Sequence, residues 1–231
     1  MNLLECNNVT KKYGSNVVLD NISFTISKGK IVGLLGMNGS GKTTLIKVIN
    51  QLLVPDYGEI LFKGKKIDAN LKNDIAYLPD KNYLDENMKA KEVISFFSDF
   101  YKGFDIKKAY KYLKEFDIDK DLIVYKMSKG MKEKLQLVLV MSRKASLYII
   151  DEPLMGVDPI TREYILDTIL KRLDKNSSLI ITTHLINEIE KVLDQVIILD
   201  KGKIVVNEEV KNLDTSLKNV LRRYSNVKKT D

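Results

Sequence analysis

The sequence has only one cysteine and no long apolar stretch. Cys6 cannot form a disulfide within the chain, and its place in a strand-like segment predicts a small buried side chain in a reducing cytosol. No window approaches the roughly 18 consecutive apolar residues that a membrane-spanning helix needs. The first residues also lack the basic segment and apolar run of a signal peptide. We therefore expect a chain that is neither secreted nor membrane-spanning by itself.

The composition of the 231 residues, 44% apolar and 30% charged, predicts a globular domain with a hydrophobic core. This length suits one domain of ordinary size, or one that is enlarged by an insertion. The 38 basic and 31 acidic residues give a net charge of +7. This excess suits nucleic acid, phosphate ligands or an anionic bilayer and does not choose among them. No internal repeat or low-complexity tract is present.

Short apolar runs predict the fold class. Alternating apolar residues at the start predict an antiparallel hairpin region. The run 31–35 leads through a glycine-rich loop into a segment of helical length and composition. Later runs that are short, rich in branched residues and bounded by charged or turn residues lie at 75–78, 147–150, 179–182 and 196–199. Such runs are typical of buried parallel strands, so we expect an α/β fold with a mostly parallel sheet.

The segment 80–143 lacks strand-like runs and predicts a helical insertion. Aromatic and lysine residues recur in it at helical spacing, and we expect these aromatics to face the core. The predicted organisation is one domain over 1–231. Its α/β core with the antiparallel region comprises 1–79 and 144–206, and 207–231 forms a basic C-terminal tail.

Residues 36–43, Gly-Met-Asn-Gly-Ser-Gly-Lys-Thr, match a phosphate-binding loop between a buried strand and a helix. Glycines allow backbone N–H groups to turn inward and cradle phosphate oxygens with the helix N-terminus. Lys42 would bring a cation to the β- and γ-phosphates, and Thr43 would bring a hydroxyl to Mg²⁺. The candidate ATP-binding residues of this segment are Gly36, Asn38, Gly39, Ser40, Gly41, Lys42, Thr43 and Thr44.

Two carboxylates follow the apolar run 147–150. Open α/β sheets bind ligands at the carboxyl ends of their strands, where Asp151 and Glu152 are expected. Asp151 would hold Mg²⁺ through water, and Glu152 would orient or deprotonate the attacking water. Two adjacent acids after a strand also occur as a solvated turn, but the phosphate-binding loop in the same chain favours the catalytic interpretation.

With these motifs, residues 3–206 resemble the ATP-binding subunits of ABC transporters. Ser128 and Gly130 match the serine and second glycine of the family's signature segment, just before a predicted helix over 132–141. Lys129 and Met131 depart from the commonest form, and similar departures resemble exporter-type members. Physically, Ser128 and the helix N-terminus would form a second anion site. Read alone, Ser128 is an ordinary helix N-cap.

The resemblance implies roles for three further residues. Asp158 lies in a segment resembling the loop that joins the two sites of a dimer. His184, the only histidine, matches the family's switch histidine at the γ-phosphate. Tyr13 matches the aromatic residue that stacks on adenine, although a turn aromatic is the alternative.

Position 80 departs from the family pattern. The run 75–78 should lead to a glutamine that touches Mg²⁺ and reaches toward the membrane partner, but Asp80 stands there. A carboxylate can still meet Mg²⁺, yet it is shorter, charged and without a hydrogen-bond donor. Asp80 is therefore a candidate metal ligand.

The resemblance implies an Mg²⁺-dependent ATPase that acts as a homodimer or heterodimer. Each ATP would lie between the phosphate-binding loop of one subunit and the signature segment of the other. Transmembrane permease subunits are the expected partners, at the cytoplasmic face of the membrane, and no nucleic acid is expected. The alternatives are a soluble ABC ATPase that acts on ribosomes or nucleic acid, and a weakly hydrolysing regulatory subunit.

Overall fold

The structure is a computed structural model that describes residues 2–152, 159–183 and 185–224. Ten strands and eight α-helices lie in these ranges. The strands are β1 (Asn2–Tyr13), β2 (Asn16–Ser27), β3 (Ile31–Leu35), β4 (Tyr57–Phe62), β5 (Lys65–Lys66), β6 (Ile75–Leu78), β7 (Leu147–Asp151), β8 (Ser178–Thr182), β9 (Gln195–Asp200) and β10 (Lys203–Glu209). The helices are α1 (Lys42–Ile49), α2 (Ala69–Lys72), α3 (Ala90–Phe100), α4 (Ile106–Glu115), α5 (Lys129–Met141), α6 (Pro159–Arg172), α7 (Ile186–Ile189) and α8 (Leu217–Tyr224). Short 3₁₀ turns occupy Val124–Lys126, Glu190–Val192 and Val210–Asn212.

The chain divides into two compact units, one of residues 1–72 with 175–231 and one of residues 73–174. The first unit contains an antiparallel sheet of order β2-β1-β4-β5. The register pairs Leu4 with Ile26 and Cys6 with Phe24, and all four side chains are buried. Alternating apolar residues therefore give this sheet one buried face.

A second group of strands in the first unit contains β10, β9, β3 and β8 in that order. β3 pairs in parallel with both β8 and β9, and β10 pairs antiparallel to β9. β8 is buried along its whole length, as is typical of a parallel strand covered on both faces. The carboxyl end of β3 leads directly into the glycine-rich loop.

The second unit pairs β6 with β7 in parallel and surrounds them with helices. Helix α5 buries a continuous stretch, residues 135–141, and packs against β6 and α4. It begins at Lys129, three residues before the predicted start, because the Ser128 hydroxyl caps it by accepting a hydrogen bond from Met131 N–H at 3.2 Å.

The prediction that the aromatics of this region face the core is wrong for several of them. Phe96 and Phe100 are 46% and 66% exposed, whereas Val93 and Ile94 are buried. The two phenylalanine rings lie four residues apart on the outer face of α3, with centroids 4.6 Å apart. The aliphatic residues occupy the inner face of this amphipathic helix, so the rings pack on each other instead.

The predicted fold class is confirmed: an α/β core with parallel strand pairs, an antiparallel β region at the N-terminal end and a helical insertion. Of the basic tail, α8 is described, and residues 225–231 lie outside the described part of the chain. None of the helices in the described ranges has the length and apolar character to cross a bilayer.

Candidate functional site

The glycine-rich loop in the first unit has a backbone that only glycine can adopt at two positions. Gly36, at the end of β3, has φ +147°, and a Cβ there would collide with the carbonyl oxygen of Leu199. Gly41 has φ +109°, and a Cβ there would lie 2.9 Å from the carbonyl oxygen of Val18. The loop backbone therefore lies close against its own unit at Gly36 and Gly41, in a conformation that favours glycine.

Lys42 reaches back over this loop from the first turn of α1. Its Nζ donates hydrogen bonds to the carbonyl oxygens of Gly36 at 2.8 Å and Met37 at 3.2 Å. The residue is 9% exposed, so its aliphatic stem is buried and its charge lies at the loop. This arrangement holds a cation where phosphate oxygens would be bound.

The other candidates differ in how far they are exposed to solvent. Asn38 and Gly39 are exposed at its tip, and Ser40 is buried. Thr43 and Thr44 are partly buried in the first turn of α1. Tyr13, at the end of β1, is 49% exposed and has Lys11 Nζ 5.9 Å from its ring centroid. Its ring is thus available for stacking, as its prediction as an adenine contact requires.

In the second unit, the register of β6 and β7 brings two predicted metal ligands to one end of this strand pair. Leu78 lies opposite Ile150, so Asp151, the last residue of β7, and Asp80, two residues after β6, lie at the carboxyl ends of adjacent parallel strands. Burial raises the pKa of Tyr77 well above its usual range, and the charges of Asp151 and Asp80 raise it further. Both carboxylates therefore influence the same Tyr77 hydroxyl. Asp151 is buried, with 1% of its surface exposed.

Glu152 has a left-handed backbone, with φ +48°. This conformation costs a non-glycine residue on the order of 1 kcal/mol, and such strain is concentrated at functional sites. Glu152 lines a pocket of about 190 Å³ together with Asp80. We call this space the carboxylate pocket; its full lining is Leu78, Pro79, Asp80, Lys129, Glu133, Gln136 and Glu152.

Three of these pocket residues belong to α5, and none of them was predicted to lie beside Glu152. Lys129 Nζ is 3.9 Å from Glu133 Oε1, one helical turn away. Burial raises the pKa of Glu133, while the charge of Lys129 lowers it. Glu133 and Gln136 were not among the predicted site residues; the sequence signal for Gln136 is a glutamine between two leucines in an apolar stretch.

The signature segment lies at the start of α5. Ser128 is exposed, and a Cβ on Gly130 would meet no atom within 4 Å. Gly130 also lacks the positive φ that would require glycine. Within the described residues, nothing in the chain's own packing therefore explains a glycine at this position.

Two predicted site residues, Asp158 and His184, lie outside the described residues. Their predicted roles rest on sequence alone.

The side chains present fit a nucleotide with Mg²⁺. Within residues 2–152, 159–183 and 185–224 no cluster of three or more His, Cys, Asp or Glu could hold a metal ion. Mg²⁺ is usually held by one or two protein oxygens, waters and nucleotide phosphates, so a full cluster is not needed. The buried carboxylate of Asp151 and the hydroxyl of Thr43 are oxygen donors of the required kind.

Comparison with known proteins identifies the family. The sequence profile of the ABC transporter family matches residues 19–155. The chain is 32% identical over 205 residues to the ABC transporter ATP-binding protein YtrB of Bacillus subtilis, covering 87% of this chain and 70% of that protein. It is 32% identical over 211 residues to the SkfA peptide export ATP-binding protein SkfE of the same organism, covering 89% and 88%.

A solved structure described as an ATP-binding subunit of an ABC transporter has the same fold. The two superpose with a TM-score of 0.88 at 27% identity, covering 97% of this chain and all of the other. The chain is an ATP-binding subunit of the ABC transporter family.

Proposed function

We propose that this chain is the Mg²⁺-dependent ATP-hydrolysing subunit of an ABC exporter. The observation that carries this proposal is the carboxylate pocket, which Glu152 and Asp80 both line, while the charges of Asp80 and Asp151 both act on Tyr77. Relatives named for export support the exporter class, among them the SkfA peptide export and Nod factor export ATP-binding proteins. Permease subunits and a position at the cytoplasmic face of the membrane belong to this proposal.

Nucleotide binding is assigned to the glycine-rich loop. The N–H groups of the loop and of the α1 N-terminus would bind phosphate oxygens, and Lys42 would exchange its two carbonyl contacts for the β- and γ-phosphates. Tyr13 would stack on the adenine. Thr43, Asp151 and Asp80 would hold Mg²⁺, which supplies charge stabilisation to the transferred phosphoryl group.

Hydrolysis is assigned to Glu152. Glu152 lines the carboxylate pocket at the end of β7, and its carboxylate would orient the attacking water and accept its proton. His184, two residues after β8 in the sequence, would contact the γ-phosphate.

The signature segment of a second subunit would complete the site. Glycine is a poor helix former by about 1 kcal/mol, yet Gly130 stands in the first turn of α5 with open space above it. A close approach by another molecule accounts for a glycine there. Ser128, Lys129 and Gly130 would thus meet the ATP of the partner subunit, and Asp158 would join the two sites. ATP binding would close the dimer and hydrolysis would open it.

A weakly hydrolysing regulatory subunit is the second candidate. Asp80, Lys129 and Met131 favour it, because they depart from the family's usual residues at the metal and in the signature segment. The intact residues Lys42, Asp151, Glu152 and His184 favour full hydrolysis. Measured ATP turnover of the purified chain with its permease distinguishes the two candidates.

The test of the proposal is the variant Glu152→Gln. It removes the carboxylate and leaves the phosphate contacts, so turnover should fall to background while ATP affinity stays within about threefold. ATP and Mg²⁺ should then trap a dimer on size-exclusion chromatography. The control is Glu59→Gln, a solvated carboxylate paired with Lys66, which should behave as wild type. Undiminished turnover in Glu152→Gln would refute the catalytic assignment.

A further inference from the structure

Gln136 is a buried amide in an apolar stretch of helix α5. It is 4% exposed, and its neighbours Leu135 and Leu137 are 0% and 2% exposed. Burying an amide costs free energy unless its polar atoms are satisfied, and an apolar side chain would serve the packing at this position better. The presence of an amide here calls for a role beyond packing.

One half of that amide holds the turn that carries Asp80. Gln136 Nε2 donates a hydrogen bond to the carbonyl oxygen of Lys81 at 3.1 Å. Because a carbonyl only accepts, the amide nitrogen must face Lys81, and the amide oxygen Oε1 faces away from it. Gln136 also lines the carboxylate pocket with Asp80 and Glu152.

The charges in the carboxylate pocket favour a neutral side chain at position 136. Asp80, Glu133 and Glu152 bring three carboxyl groups to about 190 Å³, and Lys129 is the one cation in the lining. A fourth carboxylate would add repulsion, whereas an amide brings an acceptor oxygen without charge. An ionised Asp80 has no hydrogen-bond donor of its own to offer to the carbonyl oxygen of Lys81.

We propose that Gln136 supplies to this pocket the amide that position 80 lacks. Its Nε2 fixes the Asp80 turn through Lys81, and its Oε1 presents an acceptor to the water and metal hydration that Glu152 and Asp80 also face. Gln136 is thus a positioning residue of the hydrolytic reaction. This inference rests on the proposed function, because it assigns the carboxylate pocket to ATP hydrolysis.

The test first removes the amide at position 136 and then introduces an amide at position 80. Gln136→Met keeps the length and volume of the side chain, so the chain should fold. We expect kcat to fall about tenfold, with KM for ATP within about twofold. Adding Asp80→Gln to this variant should bring kcat back to within about threefold of wild type. A role in packing alone would not be rescued by an amide at another position.

A second tether of the same loop provides the matched control. Lys132 Nζ pairs with Glu86 Oε1 at 2.7 Å and ties the segment after Asp80 to α5 outside the pocket. Glu86→Gln weakens this tether and should leave kcat within about twofold of wild type. If Glu86→Gln lowers kcat as much as Gln136→Met does, loop anchoring explains the loss and the proposal fails.

A second measurement does not depend on turnover. ATP binding to variants that also carry Glu152→Gln is measured by calorimetry at a series of Mg²⁺ concentrations. Gln136→Met should raise the half-saturating Mg²⁺ concentration several-fold, on the order of threefold to tenfold, and Asp80→Gln should reverse the shift. Gln136→Leu provides the same comparison if the methionine variant does not fold.

The outcomes separate this inference from the proposed function. If wild type hydrolyses ATP and Glu152→Gln does not, but Gln136→Met retains wild-type kcat and Mg²⁺ dependence, only the role of Gln136 is overturned. If wild type shows no turnover, the proposed function fails, and the Mg²⁺ titration alone decides for or against Gln136.

Discussion

Leu78 on β6 lies opposite Ile150 on β7 in a parallel pair. This register brings Asp80 and Asp151 to the same end of the two strands, where both carboxylates raise the pKa of Tyr77. The family's glutamine position therefore carries a second negative charge near the predicted metal ligand. The Asp80 turn and α5 both line the pocket beside Glu152.

Replacing Asp80 tests what that second charge does. Asp80→Gln should be tolerated, because glutamine is the family's residue at this position. Asp80→Ala should lower ATP hydrolysis mildly, about threefold, in the isolated chain and should impair coupling to transport more. Turnover is measured with and without the reconstituted permease. Equal losses in both settings would make Asp80 a plain active-site residue, and no loss in either would make it a solvated loop acid.

Replacing Lys42 tests the phosphate-binding loop. Lys42→Ala removes a cation from the nucleotide phosphates, so ATP affinity should fall roughly 10- to 100-fold. Lys47→Ala is the matched control, because Lys47 is an exposed lysine on the same helix. Calorimetric titration with ATP and Mg²⁺ measures both. An unchanged affinity in Lys42→Ala would contradict the assignment of the loop.

Replacing Gly36 tests the backbone of the loop. Gly36→Ala places a Cβ against the Leu199 carbonyl and should lower the free energy of unfolding by about 2–4 kcal/mol. Gly64→Ala is the control, because Gly64 also has a positive φ, +72°, but open space around it, so the loss should be only about 1 kcal/mol. Urea denaturation compares the two. Equal losses would exclude the steric explanation.

Replacing Gly130 tests the shared site. Gly130→Leu starts from a position where an added Cβ would meet no atom within 4 Å, and leucine is a better helix former than glycine, so stability should not fall. The same change should abolish the ATP-trapped dimer in the Glu152→Gln background, because the side chain would fill the space that a partner's ATP needs. Size-exclusion chromatography measures this. The control is Lys111→Leu, at an exposed position of α4; a dimer that persists in Gly130→Leu would argue against the shared site.

Replacing His184 tests the assignment that rests on sequence alone. His184→Ala should lower kcat on the order of 100-fold and ATP affinity by much less, because its expected contact is to the reacting phosphate. Steady-state kinetics and ATP titration separate the two effects. Lys191→Ala, at an exposed position beyond α7, is the control. A larger effect on affinity than on kcat would assign His184 to nucleotide binding.

Local features of the fold could be predicted from the sequence, because their causes are local. The run Ile31–Leu35 is apolar enough to be buried, and glycines follow where the chain must turn sharply. Helix α1 then starts at Lys42. Strand, loop and helix therefore follow from residues that are adjacent in sequence, as does the N-cap of Ser128 on α5.

Which side chains of α3 are exposed depends on the elements that pack against the helix, and the local sequence pattern does not specify those elements. The spacing of Phe96 and Phe100 is that of a buried helical face, yet Val93 and Ile94 take that face. Amphipathic periodicity identifies two faces of a helix, and the neighbouring elements decide which one is buried.

The sequence by itself determined the α/β fold class, the glycine-rich loop and the family to which the chain belongs, because each depends on residues in consecutive runs. Only the tertiary structure decided which side chains surround Glu152. Glu133 and Gln136 are 19 and 16 residues before it in the chain, and they reach its pocket because α5 packs against β6, the parallel neighbour of β7. Contacts between elements that are distant in sequence depend on packing over the whole unit, and a local motif does not encode them.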